Sequence, residues 1–228
     1  MAKKKKNSNY VTEKRIAARE AALREKKKEK MMKILKPIII TAISLVLIAA
    51  VIVVSVWATN KWSQNFKATH HASIVVEGYG TIHVELYGNE APATVENFVK
   101  LANDGLYDGS DFHRIIKGYM AQGGSVDIAV DTIKGEFSAN GFNNRIKHRR
   151  GVISMARPDS YNGASSQFFI MHKTNSKLDG QYAAFGKVTS GMEIIDAICE
   201  RANPTDSNGS IAEADRPVIT TITIHEVH

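Results

Sequence analysis

Residues 112–124 read Phe-His-Arg-Ile-Ile-Lys-Gly-Tyr-Met-Ala-Gln-Gly-Gly. This segment brings together a guanidinium, an aromatic ring, a thioether and an amide, supplied by Arg114, Tyr119, Met120 and Gln122. Apolar residues surround these groups, and the glycines let the backbone turn. By itself the segment allows two interpretations, because Arg114 could be a surface arginine and the ring and thioether could be ordinary core. The rest of the chain decides between them.

Residue patterns typical of strands and helices extend over the C-terminal two-thirds of the chain. Val218–Val227 alternates β-branched residues, as a half-buried strand does. Pro92 suits a first helical turn and Gly105 a helix end, and residues 191–200 predict a second helix. Six further strands are predicted at Ser73–Val76, Thr81–Leu86, Ile115–Met120, Gly151–Met155, Gln167–Met171 and Ala183–Gly186. Many short strands with two helices indicate a closed β-barrel, because closure removes exposed sheet edges.

Three blocks of sequence, taken in order, point to one family. The first is 112–124, and the second combines Gly-Val-Ile-Ser-Met-Ala-Arg at 151–157 with Ala-Ser-Ser-Gln-Phe-Phe-Ile at 164–170. The third, at 178–186, is Leu-Asp-Gly-Gln-Tyr-Ala-Ala-Phe-Gly. Together they resemble the cyclophilins, which are peptidyl-prolyl cis-trans isomerases. The resemblance runs from about Ala72 to the C-terminus and implies an eight-stranded antiparallel barrel, mainly β, capped by two helices.

The resemblance also implies which residues form the site. It makes Arg114 the catalytic residue, with Gln122 orienting it and binding the substrate backbone. The other positions that it assigns to substrate binding are His113, Tyr119, Met120, Ala156, Arg157, Gln167, Phe169, Leu178 and Tyr182. Ala156 and Arg157 would offer backbone groups to an extended peptide. Tyr182 stands where animal members often have histidine, which resembles bacterial members of the family.

The chemistry of this reaction explains the residue types. Rotation about an amide bond is slow, with a barrier of about 18–20 kcal/mol, because the nitrogen lone pair is shared with the carbonyl. A catalyst needs a donor that stabilises the twisted amide and a dry pocket that holds the proline ring. The always charged, planar guanidinium of Arg114 is such a donor. No nucleophile is required, and we expect neither a metal nor another cofactor.

The N-terminal part differs sharply in charge and hydropathy. Residues 1–36 contain 14 Lys and Arg against four Glu, a net charge of +10, while the whole chain carries +7, so the remainder is at −3. The high charge therefore belongs to the head, and the mildly acidic domain gives no sign of nucleic-acid binding. Residues 37–60 form a run of 24 uncharged, mostly apolar residues. A helix of this length can span a bilayer, so we predict a single transmembrane helix here.

Topology follows from the basic head. Lys and Arg remain on the cytoplasmic side, which predicts a cytoplasmic helical segment at 1–36, a linker at 61–71 and an isomerase domain at 72–228 outside the cytoplasm. A buried core helix and a cleaved signal peptide are alternatives for 37–60. Cleavage after Ala58 would suit the second, although signal peptides usually have an apolar region of only about 7–15 residues.

Three functions remain open from the sequence. The first is a membrane-tethered isomerase of the cell membrane that acts on proline-containing secreted or surface proteins, as a monomer. The second is a tethered module or chaperone that binds proline peptides with little turnover. The third is a tether that scaffolds a membrane complex through the basic head. Intact Arg114 and Gln122 favour the first.

Overall fold

The computed structural model of the chain describes residues 23–36, 41, 43–44, 47–51, 53 and 66–227. It divides into two compact units, residues 1–65 and 66–228. In the first unit, residues 23–36 are helical and exposed, and the described positions between 41 and 53 are helical too. No helix within the described ranges has the length and apolar character needed to cross a membrane. Most of the predicted transmembrane segment, 37–60, lies outside those ranges.

The second unit is mainly β, with one eight-stranded antiparallel sheet in the order β3-β4-β6-β5-β7-β2-β1-β8. The strands are β1 His70–Val76, β2 Gly80–Leu86, β3 Arg114–Ile116, β4 Met120–Gly123, β5 Val152–Met155, β6 Phe168–Met171, β7 Ala184–Ser190 and β8 Ile219–Glu226. The helices are α1 Pro92–Asn103 and α2 Met192–Arg201. Three short 3-10 helices complete the unit, at Ser138–Asn140, Ser176–Leu178 and Glu213–Asp215.

The predicted closed barrel corresponds in the structure to a sheet curled into a half-barrel. Among the described residues no regular ladder joins the two edge strands, β3 and β8. The residues just before β3 approach the start of β8 and the residues that precede it instead. The amide of Phe112 donates to the carbonyl of Pro217 at 2.9 Å, and that of Ile219 donates to Ser110 at 2.7 Å. The bond from Ile219 covers the start of the β8 edge, which reduces the number of unpaired edge groups there.

The core lies inside the curl and is rich in aromatic rings. Phe98 of α1 packs on Tyr107, Phe168 and Phe185, with ring centroids 5.2–5.5 Å apart. All four side chains are fully buried. Burial of such rings is the main favourable term in folding. The core therefore fixes β6, which carries Phe168, against α1 and positions the next residue, Phe169.

Residues 112–124 fold differently from their prediction. Residues 115–120 were predicted as one strand, but the chain turns back at Gly118, whose φ is +79°. Tyr119 donates its amide to Ile116 at 2.9 Å, which closes this turn. The result is the β3–β4 hairpin, whose register places Arg114 opposite Gln122. A positive φ favours glycine, so Gly118 is the residue that makes the hairpin possible.

Candidate active site

Arg114 and Gln122 are neighbours because of the β3–β4 register. The Nη1 group of Arg114 donates to Oε1 of Gln122 at 3.2 Å. On its other side the guanidinium donates from Nε to the carbonyl of Asn208 at 2.8 Å. Gln122 in turn donates from Nε2 to Oε1 of Gln167 at 3.0 Å. One side chain and one carbonyl thus hold the guanidinium, and Gln167 in turn holds Gln122. Within the described chain, the Nη2 group of Arg114 keeps its donors unused.

A small cavity of about 100 Å³ lies beside this guanidinium. The hairpin, the end of β5, β6 and the loop before β7 all contribute to it. Its lining residues are Arg114, Tyr119, Met120, Gln122, Ala156, Arg157, Phe169 and Tyr182. Each of these eight residues belongs to the predicted site, so the structure brings together most of that set.

The floor of the cavity is apolar. Met120 and Phe169 are almost fully buried, and β4 pairs with β6 so that Gln122 lies opposite Phe169. Tyr182 meets the Phe169 ring edge-to-face, with centroids 5.7 Å apart. Burial, reinforced by the nearby Tyr182, raises the pKa of Tyr119 above its usual value, so its hydroxyl stays neutral. The cavity thus pairs an uncharged floor with a cationic rim.

Three predicted residues lie outside this cavity. Leu178 is buried in the 3-10 helix Ser176–Leu178 and is not among the lining residues. His113 and Gln167 line a neighbouring, larger cavity of about 650 Å³. Burial lowers the pKa of His113, against the opposing effect of Asp111. Its Nδ1 atom is buried without a hydrogen-bond partner among the described residues.

Arg157 has a side-chain environment that the sequence did not predict. Its guanidinium lies over three aromatic rings, those of Phe137, Tyr161 and Tyr182, at 5.2, 5.0 and 4.7 Å from the centroids. Its Nε and Nη2 groups both donate to the carbonyl of Gln181, at 3.1 and 3.0 Å. The sequence assigned only backbone groups to this position, because nothing in residues 151–157 announces partners that lie in three other segments.

The family follows from comparison with known proteins. Residues 71–228 match the family described as cyclophilin type peptidyl-prolyl cis-trans isomerase/CLD. The chain belongs to this family.

Relatives agree with this assignment of the cyclophilin domain. Peptidyl-prolyl cis-trans isomerase A of Dickeya dadantii is 40% identical over 154 residues, covering 64% of this chain and 80% of that protein. Peptidyl-prolyl cis-trans isomerase B of Bacillus subtilis is 44% identical over 124 residues, covering 52% and 83%. A cyclophilin type isomerase of Cryptosporidium parvum, crystallised in the presence of the dipeptide Ala-Pro, superposes with a TM-score of 0.59 at 28% identity, covering 69% and 99%.

A buried histidine of the cyclophilin domain was not predicted from the sequence. His148 stacks on Phe169, with centroids 6.1 Å apart and planes 18° from parallel. Its Nδ1 lies 3.1 Å from Oδ1 of Asp179, and its Nε2 lies 3.1 Å from Oγ of Ser154. Burial lowers its pKa, although Asp179 opposes the shift. In the sequence His148 stands in the basic run 147–150, which looks like an exposed surface, so no local signal could have revealed it.

The cyclophilin domain offers no evident metal site in the part of the chain that the structure describes. There, no three His, Cys, Asp or Glu side chains are grouped so as to hold an ion. The cavity beside Arg114 contains side-chain donors, an apolar floor and no carboxylate. Such a cavity can hold a ring on its floor while a donor reaches a neighbouring polar atom. These are the two features that amide rotation requires.

Proposed function

We propose that Arg114 is the catalytic residue of an isomerase that speeds rotation about the bond before proline. The observation that carries the proposal is the position of its guanidinium, held by Gln122 and Asn208 above an apolar floor with Nη2 donors left over. Donors fixed in advance stabilise charge that develops in a transition state without reorganisation. A 10⁵-fold acceleration needs a barrier lower by about 7 kcal/mol.

The other site residues receive roles from their positions. Tyr119, Met120 and Phe169 form the floor for the proline ring, and Gln122 orients Arg114 and binds substrate backbone. Leu178 supports the site from its buried position rather than lining the cavity. The rim that contacts the extended peptide consists of His113, Ala156, Arg157, Gln167 and Tyr182. The Ala-Pro dipeptide present with the Cryptosporidium parvum relative supports proline-containing clients here.

The test is NMR exchange spectroscopy on an Ala-Pro peptide with the full chain in a mild detergent. We expect fast cis-trans exchange with the natural chain. Arg114→Ala should lower it about 10²-fold or more, the usual loss when one stabilising donor is removed. Arg114→Lys keeps the charge but loses the planar fork, and should recover only a small part. An unchanged ¹H–¹⁵N spectrum outside the site shows that each variant is folded.

The second candidate function, a binding module with little turnover, is separated by the same experiment. If the chemical shifts of the peptide saturate on titration but its cis-trans exchange is not accelerated, the catalytic proposal is contradicted and only the binding function remains. Activity that persists in Arg114→Ala would keep an isomerase but remove Arg114 as its catalytic residue. Sedimentation of the chain in detergent tests the proposed monomer.

We also propose that residues 37–60 anchor the chain in the cell membrane, with the domain outside the cytoplasm and secreted or surface proteins as clients. The support is the uncharged run of 24 residues and the net charge of +10 that precedes it. Tyr182 favours a domain of bacterial type. Protease added to intact cells should degrade the domain and spare residues 1–36. A domain released from washed membranes would contradict the anchor and favour cleavage after Ala58.

A further inference from the structure

The cavity beside Arg114 has an unbalanced charge. Two of its lining residues, Arg114 and Arg157, carry guanidinium groups, and the others are uncharged. Neither arginine forms an ion pair in the described part of the chain. Four carboxylates, those of Asp108, Asp111, Asp127 and Glu213, line the neighbouring cavity, and Asp159, whose carbonyl accepts from Arg157, forms no ion pair with it.

The charge of Arg157 is fixed in place without being neutralised. Three aromatic rings surround the guanidinium at 4.7–5.2 Å. Its Nη1 donates to the carbonyls of Pro158 and Asp159, at 2.9 and 3.1 Å, and Gln181 accepts from the other two nitrogens. Ring faces and carbonyls attract a cation through their partial charges. Because these groups are neutral overall, the guanidinium keeps its net positive charge. The group therefore loses little conformational freedom when a ligand arrives.

We propose that this site prefers clients with an acidic side chain directly next to the proline, and that Arg157 sets the preference. The inference rests on the proposed isomerase function and specifies its substrate class. A fixed, unpaired cation attracts a carboxylate and repels an ammonium, so it discriminates between them more than it adds affinity. Arg114 contributes to the same field, but Arg157 is the cation that the proposed chemistry does not use.

The experiment measures kcat/KM by NMR exchange for two peptide series, Ala-Xaa-Pro-Ala and Ala-Ala-Pro-Xaa, with Xaa as Glu, Gln or Lys. Gln is the uncharged match for Glu. In at least one series, we expect kcat/KM for the Glu peptide to exceed that for the Lys peptide by about fivefold at low salt. This factor is typical of an ion pair that remains near water. Raising NaCl from about 0.02 M to about 0.5 M should remove most of the difference, because the Debye length falls below the separation of the charges.

Variants distinguish the effect of the charge of Arg157 from any structural role of its side chain. Arg157→Gln removes the charge and should reduce the Glu-to-Lys ratio to below about twofold, whereas Arg157→Lys should retain an intermediate ratio. Arg201→Gln is the matched control, since Arg201 also lies over a ring, that of Tyr79, at 5.5 Å, but outside the cavity. Its ratio should equal that of the natural chain.

The possible outcomes each decide the proposal. The proposal is overturned if the Glu-to-Lys ratio of kcat/KM is unchanged in Arg157→Gln, or if the natural chain prefers Lys in both series. An equal loss for all three peptides overturns it too, because a purely structural role lowers every rate alike. If Arg157→Gln fails to fold, the salt dependence of the natural chain decides. If no peptide is turned over, the proposed catalysis fails, and the affinities of the Glu and Lys peptides from chemical-shift titration still test the preference.

Discussion

His148 shows how one residue can connect the parts of the site. It supports the Phe169 ring by stacking, and its two ring nitrogens reach Asp179 and Ser154. Its amide also donates to the Asp179 carboxylate at 2.7 Å. Because the residue is only 1% exposed, a lost partner would leave a buried polar atom unsatisfied. The floor of the cavity thus depends on a residue that does not line it.

His148 also makes stability depend on pH. Its pKa is lowered from 6.5 in the folded chain, so the unfolded chain binds the proton first as pH falls. Stability is therefore lost as pH decreases below about 6.5, by at most about 1.4 kcal/mol per pH unit for one proton. His148→Gln should lower the free energy of unfolding by about 2 kcal/mol at pH 7.5, because the hydrogen bonds of His148 are lost. The free energy of unfolding of this variant should nevertheless fall less steeply between about pH 7 and pH 5 than that of the natural chain.

Urea unfolding across this pH range provides the measurement. His113 also has a lowered pKa through burial, but it is present in both proteins, so the difference between the two curves isolates His148. His83→Gln, at an exposed position, is the control and should follow the natural chain. Parallel curves for His148→Gln and the natural chain would contradict the prediction.

At the scale of elements, helix α1 begins without a capping side chain of its own. Ala91 occupies the N-cap position and makes no side-chain bond. The buried carboxylate of Glu136 replaces it, accepting from the amides of Ala93 and Thr94 at 3.0 and 2.8 Å, and from the Thr94 hydroxyl at 2.7 Å. A negative charge at this end also complements the helix dipole. The loop that carries Glu136 is thereby fixed to α1.

Removal of this carboxylate should destabilise the domain. We expect Glu136→Ala to lower the free energy of unfolding by about 3 kcal/mol, since it leaves the half-buried amide of Ala93 and the buried amide and hydroxyl of Thr94 without an acceptor. Glu136→Gln keeps one oxygen and should lose less. The midpoint of urea unfolding measures both. Glu96→Ala, on the exposed face of α1, should change stability by less than about 0.5 kcal/mol, and equal midpoints for it and Glu136→Ala would disprove the capping role.

The β3–β4 hairpin shows where element prediction from sequence was wrong. The sequence predicted one strand over 115–120, but the Lys117-Gly118 pair turns the chain. The turn signal was present in the sequence. It was outweighed because a short apolar run fits a strand equally well. The difference matters, since only a hairpin places Gln122 beside Arg114.

At the scale of the whole molecule, the first and last strands of the domain depend on each other. Strand β1 lies between β2 and β8, and it pairs with β8 from His70 opposite Glu226 to Val76 opposite Ile219. Ile219 and Ile222 of β8 are buried in the core. The C-terminal strand therefore completes the structure that the first strand of the domain begins.

Deletion of residues 218–228 should prevent the domain from folding. The loss of two buried isoleucines alone costs several kcal/mol, at about 2–5 kcal/mol for each truncation to a small residue. The lost ladder adds to this, while total stability is only about 5–15 kcal/mol. The ¹H–¹⁵N spectrum should lose its dispersion. Deletion of residues 227–228 alone should preserve it, and a dispersed spectrum for the longer deletion would refute the dependence.

The sequence by itself determined the family, the mainly β class, both helices of the domain and the eight residues that line the cavity beside Arg114. These follow from local residue patterns and from the order and spacing of the three sequence blocks at 112–124, 151–170 and 178–186. It also motivates the membrane anchor, which stays a prediction. Only the tertiary structure placed His148 beneath Phe169, Glu136 at the start of α1 and Arg157 among three rings. Each of these contacts joins segments far apart in the chain, so its partners are set by packing and no local pattern encodes them.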